Sequence, residues 1–214
     1  HLGSAARRTG DWKVFVISST SRDAGNASGD LLDQSALIAL AERLVAAARR
    51  AGADQADALA VRGVSQSGEV RDGRVEESER SESDDMGLRV LVGKKQAVVS
   101  TNDIKGASPQ ALAERAVAMA RVAPDDPYIG LADRALLARD FPDLDLLDPR
   151  APDTAELERR AQAAEAAALG VAGVTKSGGA SASAGIGGMV LVTSEGFCGA
   201  YLRSSHSIAM TAIV

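Results

Sequence analysis

The sequence predicts an α+β fold: mainly antiparallel β-sheet hairpins, with helices packed on one face. Two observations carry that expectation. Stretches with apolar residues at helical spacing are set apart from strand-like stretches. The strand-like stretches are joined by tight turns, which suffice for antiparallel pairing but not for a parallel crossover. A helix can then cover one sheet face. Hydrophobic residues make up 45% of the chain and aromatics only 3%, so the core has to be aliphatic and rich in alanine.

Residues 1–30 come first. WKVFVI at 12–17 follows basic residues, faintly like a signal peptide. The run is shorter than the roughly 7–15 apolar residues of an h-region, and no A-x-A pattern follows. The chain also opens on His1. These residues are read as a non-native or disordered leader.

The first helix is expected over 34–51, with Leu37, Leu40, Ala41, Leu44, Val45 and Ala48 on one stripe. Asp33 or Ser35 can cap its start and Gly52 its end. Strand signals follow at 57–64 and 69–76, the second holding Asp72-Gly73, a type I′ hairpin cue. The symmetric register sets Arg71 against Arg74 and Glu69 against Glu76, which is unfavourable for like charges. The ribbon is therefore read as solvated, with contact to a partner chain as the alternative. A further hairpin, 87–93 against 96–101, turns at Gly93-Lys94.

A second helix is expected over 109–122, with Ser108 as N-cap, Pro109 in the first turn, and Leu112, Ala116, Met119 and Ala120 buried. The Pro- and Asp-rich segment 124–152 reads as a linker with a helical scrap at 131–138. A third helix over 154–169 has Asp153 and Glu156 at capping-box spacing. Its expected stripe is Leu157, Ala161, Ala164 and Ala168. The Gly, Ser and Ala stretch 173–188 reads as a flexible loop or weak edge strand. Residues 189–214 read as two or three strands. The strand-like TAIV ending suggests that the chain is a truncated fragment. The domain reading is 1–30 leader, 31–123 N-terminal α+β domain, and 124–214 linker and truncated middle domain.

Function classes narrow by exclusion. A net charge of −5 without a basic patch disfavours direct nucleic-acid binding. No apolar run reaches the roughly 18–20 residues of a membrane span. The single cysteine, Cys198, rules out an internal disulfide and fits a reducing compartment. A catalytic zinc site usually takes three protein ligands, and the soft ligands here are His1, Cys198 and His206. Eight residues of unbroken strand would separate Cys198 from His206 by about 26 Å. Ser204 and Ser205 precede His206, but no G-x-S-x-G elbow is present. GVTKSGG (173–179) misses the P-loop spacing, and AGIGG (184–188) misses the dinucleotide fingerprint. DFPDLDLLD (140–148) lacks the glycine and closing glutamate of a calcium loop. No catalytic, cofactor-binding or metal-binding residue is assigned.

The order of segments says more than any one of them. A helix precedes AVRGVSQSGEVRDGRVEESERSESDDMGLRVLVGKKQAVVSTNDI (60–104), a Ser-Pro-capped helix follows, and LVTSEGFCGAYLRSSHSIAM (191–210) comes later. The glutamate-rich ribbon after Asp72-Gly73, the Gly87-Leu-Arg start, the Gly93 turn, the Ser100–Asp103 exit and the Ser194-Glu-Gly-Phe turn together resemble the TldD/PmbA family. The wording lies nearer its PmbA (TldE) branch. The resemblance covers about 31–214 and implies a cytoplasmic subunit of a zinc-dependent peptidase system acting on unfolded or small peptides. It implies a dimer with a homologous TldD-like subunit. Zinc would sit only in that partner, on an H-E-x-x-x-H helix, or beyond residue 214. This chain would then be the metal-free subunit that shapes the dimer and the peptide chamber. Strands at 87–101 and 189–203 are candidates for holding an extended peptide. The alternative is a non-enzymatic protein-binding regulator, in line with the family's older label, modulator of DNA gyrase, or a toxin–antitoxin modulator.

Overall fold

The computed structural model describes residues 33–104, 106–138, 142–148, 150 and 152–214, with backbone pairing also given for three two-residue strands before them. The leader reading of residues 1–30 lies outside the described residues. Of the short strands, Arg8–Thr9 pairs antiparallel with Trp12–Lys13, and Phe15–Val16 runs parallel to Gly199 and Ala200.

The long elements are helix α1 (Ser35–Ala51), strands β1 (Gln55–Arg71), β2 (Arg74–Val92) and β3 (Lys95–Thr101), helix α2 (Pro109–Val122), helix α3 (Thr154–Leu169), and strands β4 (Lys176–Thr193) and β5 (Cys198–Ile213). A single 3-10 turn, Arg134–Leu136, occupies the expected helical scrap. The five long strands lie in the order β5-β4-β1-β2-β3, with Phe15–Val16 outside β5. Pairing among the long strands is antiparallel. β2 meets β3 in register from Met86↔Thr101 to Val92↔Lys95. The fold is α+β, as expected.

By contacts the chain forms two compact units: 1–62, 83–144 and 188–202 in one; 63–82, 145–187 and 203–214 in the other. In the first unit, α1 and α2 cover alternate residues of the strands. Leu37, Ala41, Leu44 and Ala48 from α1 share a core with Ala56, Ala58, Ala60, Leu88, Val90 and Val190. From α2, Ala113, Ala116, Val117 and Ala120 join it, whereas Met119 is exposed against expectation. In the second unit, Leu157 and Ala161 of α3 pack with Val70, Ala180, Ala182 and Ala184. No aromatic residue is among the buried described residues, in keeping with the composition.

Local chemistry explains most element ends. The Ser108 hydroxyl accepts from the Ala111 amide at the start of α2, and Asp153 accepts from the Glu156 amide at the start of α3. Only half of the capping box forms, because the Glu156 side chain pairs with Arg159 and Arg160 instead. At α1 the capping position is Gln34, which makes no side-chain cap. Asp33 accepts from the Ser35 amide instead, 2.9 Å away, and the Ser35 side chain, followed by that amide, holds its carboxyl below the usual range. Gly52 ends α1 at φ +102°.

The strands are longer than the sequence suggested. The stretches 57–64 and 69–76 are parts of β1 and its turn into β2. The stretch 173–188 is no loop or edge: from Lys176 it is strand, and β4 lies between β5 and β1. Ala180, Ala182 and Ala184 point into the core, alternating with half-buried Ser181 and Ser183. The β1–β2 turn has Asp72 at φ +51° and Gly73 at φ +73°, the two left-handed residues of a type I′ turn. No atom lies within 4 Å of a Cβ built on Gly73. A Gly73→Val substitution should therefore cost only its backbone strain, about 1–2 kcal/mol, read as a lower urea midpoint with unchanged m-value.

Candidate functional site

The constellations sought in the sequence fare as follows. Cys198 lies half-buried at the start of β5 in the first unit, where burial and then Glu42 push its thiol up to about 11. A thiol that stays protonated near neutral pH is a poor nucleophile and a poor metal ligand. His206 lies exposed on β5 in the second unit. His1 lies outside the described residues. Among the described residues, no group of three or more His, Cys, Asp or Glu side chains is placed to hold a metal ion. Among the described residues, the side chains do not fit a zinc site. Asp145 and Asp148 of the acidic run are no exception.

Ser204, His206 and Asp148 do fall in one region of the second unit. The Ser204 amide donates to the Leu146 carbonyl at 2.9 Å, and the Asp148 amide donates to the Ser204 hydroxyl at 2.9 Å. The Asp148 carboxyl is held low by Arg150, 3.0 Å away, with a weaker contribution from His206. The Ser204 oxygen thus serves as an acceptor for main chain, and the carboxylate serves an arginine. No base–nucleophile hydrogen bond of a hydrolytic triad is formed.

The best-defined polar centre was not foreseen. Glu165 of α3 is only 2% exposed. It stands one turn past Ala161 and two past Leu157, in place of the expected Ala164 and Ala168. Its two carboxylate oxygens accept from the Asp72 amide at 2.9 Å and the Gly73 amide at 2.7 Å. The Ser177 hydroxyl donates to it as well. These bonds, with that to Ser177 foremost, hold the carboxyl below its ordinary range despite burial. The arrangement fixes the tip of the β1–β2 hairpin onto α3. Gln162 adds a bond from its amide to the Gly73 carbonyl at 3.3 Å.

Besides the outer side of β5 beyond Ala200, two stretches of strand edge carry no strand partner among the described residues. One is the outer side of β3, from Lys95 to Thr101, where Val98 is 59% exposed. The other is the outer side of β2 before Met86, the first residue that pairs with β3. Of the two strands expected to hold a peptide, the 87–101 hairpin therefore has an open side. Met189–Thr193 does not, since it is interior strand; β5 is paired at Gly199 and Ala200, and its outer side beyond Ala200 has no strand partner among the described residues. Cross-strand ion pairs tie β1 to β2: Arg62 grips Asp84 at 2.6 and 3.1 Å, and Arg89 reaches Asp57 at 2.9 Å.

No described helix is long and apolar enough to cross a membrane. Comparison with known proteins gives a consistent set of matches. Residues 56–120 match the model of PmbA/TldA metallopeptidase domain 1, and residues 147–214 match the PmbA/TldA metallopeptidase central domain. The metalloprotease PmbA of Escherichia coli O157:H7 is 34% identical over 149 residues, 67% of this chain and 32% of that protein. A metalloprotease PmbA homolog of Haemophilus influenzae is 32% identical over 168 residues, 78% of this chain and 37% of that protein. The chain thus spans about a third of the length of these relatives. Among solved structures, a Bacteroides thetaiotaomicron protein described as a modulator of DNA gyrase superposes with a TM-score of 0.72 at 22% identity, over 79% of this chain and 39% of its own. TldE of Thermococcus kodakarensis gives 0.65 at 12% identity, over 81% and 39%. At those identities the structures speak for the fold alone.

Proposed function

The chain belongs to the TldD/PmbA family of metallopeptidases, and on that premise we propose that it serves a peptidase system as the metal-free partner subunit. In this reading it pairs in the cytoplasm with a homologous TldD-like subunit, which holds the zinc. Its sheet helps to shape the chamber that receives unfolded or small peptides. One observation carries the reading: the outer side of β3 is an unpaired strand edge among the described residues. An extended peptide can add to such an edge through its main chain, which gives affinity with little sequence selectivity.

The test is reconstitution. The chain alone is expected to hydrolyse no unfolded peptide and to bind no stoichiometric zinc by metal analysis. Mixed with a TldD-like subunit carrying H-E-x-x-x-H, it should co-elute with it in gel filtration. Stoichiometric zinc or peptide hydrolysis by the isolated chain overturns the proposal, as does failure to associate with the homologous subunit.

A further inference from the structure

We propose that the outer edge of β2 from Arg74 to Glu82, within the second unit, is a docking site for an extended, cationic polypeptide segment. This inference stands apart from the peptidase reading and concerns a different edge from that of β3. Three observations point to it.

The first is an open backbone. β3 pairs with β2 only from Met86 onward, so the preceding stretch has β1 on one side and no strand on the other among the described residues. From Arg74 to Glu82 it runs about 30 Å at roughly 3.4 Å per residue. Residues 74–83 are all exposed. Natural sheets usually blunt such an edge by shortening it or by placing charged side chains or proline on it. This stretch holds no proline, and its charge is mostly negative, which repels acidic strands but not cationic ones.

The second is charge. Glu76, Glu77, Glu79 and Glu82 face only Arg74 and Arg80 within the stretch. Ion pairs engage Glu76 with Arg71 and Glu82 with Arg80. Glu77 and Glu79 have no cationic partner among the described residues. Successive strand residues point to opposite faces, so Glu77 and Glu79 share one face by spacing. A strand added to this edge would bring every second side chain beside those carboxylates. Lysine or arginine at those positions complements them, and acidic residues are repelled. A second copy of the chain would present the same negative edge, so self-pairing here is disfavoured by like charge.

The third is order. The tip of the hairpin is fixed by Glu165, and Ser78 donates to Glu158 of α3 at 2.5 Å. The edge is formed before anything binds, so the ordering cost falls on the incoming segment alone.

The experiment uses a fluorescent peptide alternating arginine and threonine, titrated into the whole chain at low ionic strength and read by anisotropy. Saturable binding is expected, weakening about ten-fold or more as salt shortens the screening length. Methylating alternate peptide nitrogens, which removes the main-chain donors but leaves the charges, should cost about ten-fold as well. The exposed double variant E77K/E79K should keep its thermal midpoint and lose about ten-fold in affinity. Hydrogen exchange should slow at residues 74–82 on binding. Absence of binding overturns the proposal. So does affinity that survives both the methylation and the double variant, protection that falls on Lys95–Thr101 instead, or an edge already closed by self-association of the free chain.

Discussion

Replacing Glu165 with alanine should lower the thermal midpoint by roughly 5–10 °C, through loss of a buried acceptor rather than loss of packing. The change would leave the Asp72 and Gly73 amides and the Ser177 hydroxyl without the oxygens they now bind. Glu165→Gln should be nearly as damaging despite its matched shape, because its NH2 group would face donors. The effect should be local to the unit that holds α3. In hydrogen exchange, the Asp72 and Gly73 amides should lose protection while the core of α1 keeps its own. Equal loss across both regions would argue for a global role instead. The same residue sets a pH dependence. Its carboxyl is depressed in the fold relative to about 4.3 in an unfolded chain. Its contribution is therefore fully present above the unfolded value and is lost as the pH falls through the folded one. The difference between wild type and Glu165→Gln, measured by urea unfolding, should narrow as the pH drops below about 4. A difference that stays constant as the pH falls well below about 4 would contradict the assignment.

Leu44→Ala should be as costly or more so. Leu44 is 1% exposed on α1, in the core that also holds Ala41, Ala48, Ala56, Ala58 and Leu88. Leucine-to-alanine changes in cores cost about 2–5 kcal/mol, depending on how far the site collapses. The upper half of that range is expected, since neighbouring alanines have no rotamers with which to fill the gap. Against a typical total of about 5–15 kcal/mol, that loss should be plain in urea unfolding. A cost below about 1 kcal/mol would mean that α1 shifts to close the void.

Much of the fold was legible. The helix boundaries followed from Ser108-Pro109, Asp153 and Gly52, whose chemistry is local. Asp72-Gly73 gave its turn type for the same reason. Strand lengths were harder, because burial rather than propensity decides them. The run 176–188 was judged by its glycine and serine content, yet Ala180, Ser181, Ala182, Ser183 and Ala184 already alternated with a period of two. The charged run 74–85 hid strand structure because no apolar face marks it. Glu165 was passed over as a polar residue on a helix. Its spacing from Leu157 and Ala161 placed it on the buried stripe, but its amide partners are more than ninety positions away, and only the folded chain brings them together.

The alanine-lined core has a further consequence for motion. Ala41, Ala47, Ala48, Ala56, Ala58, Ala60, Ala113, Ala116 and Ala120 are wholly sequestered. A methyl group has no alternative rotamer, so these contacts hold no stock of interchangeable arrangements. Any rearrangement of this core must then come from backbone segments shifting as rigid pieces. Sequence drift in this region should likewise gather on the outward faces, where added bulk meets only solvent.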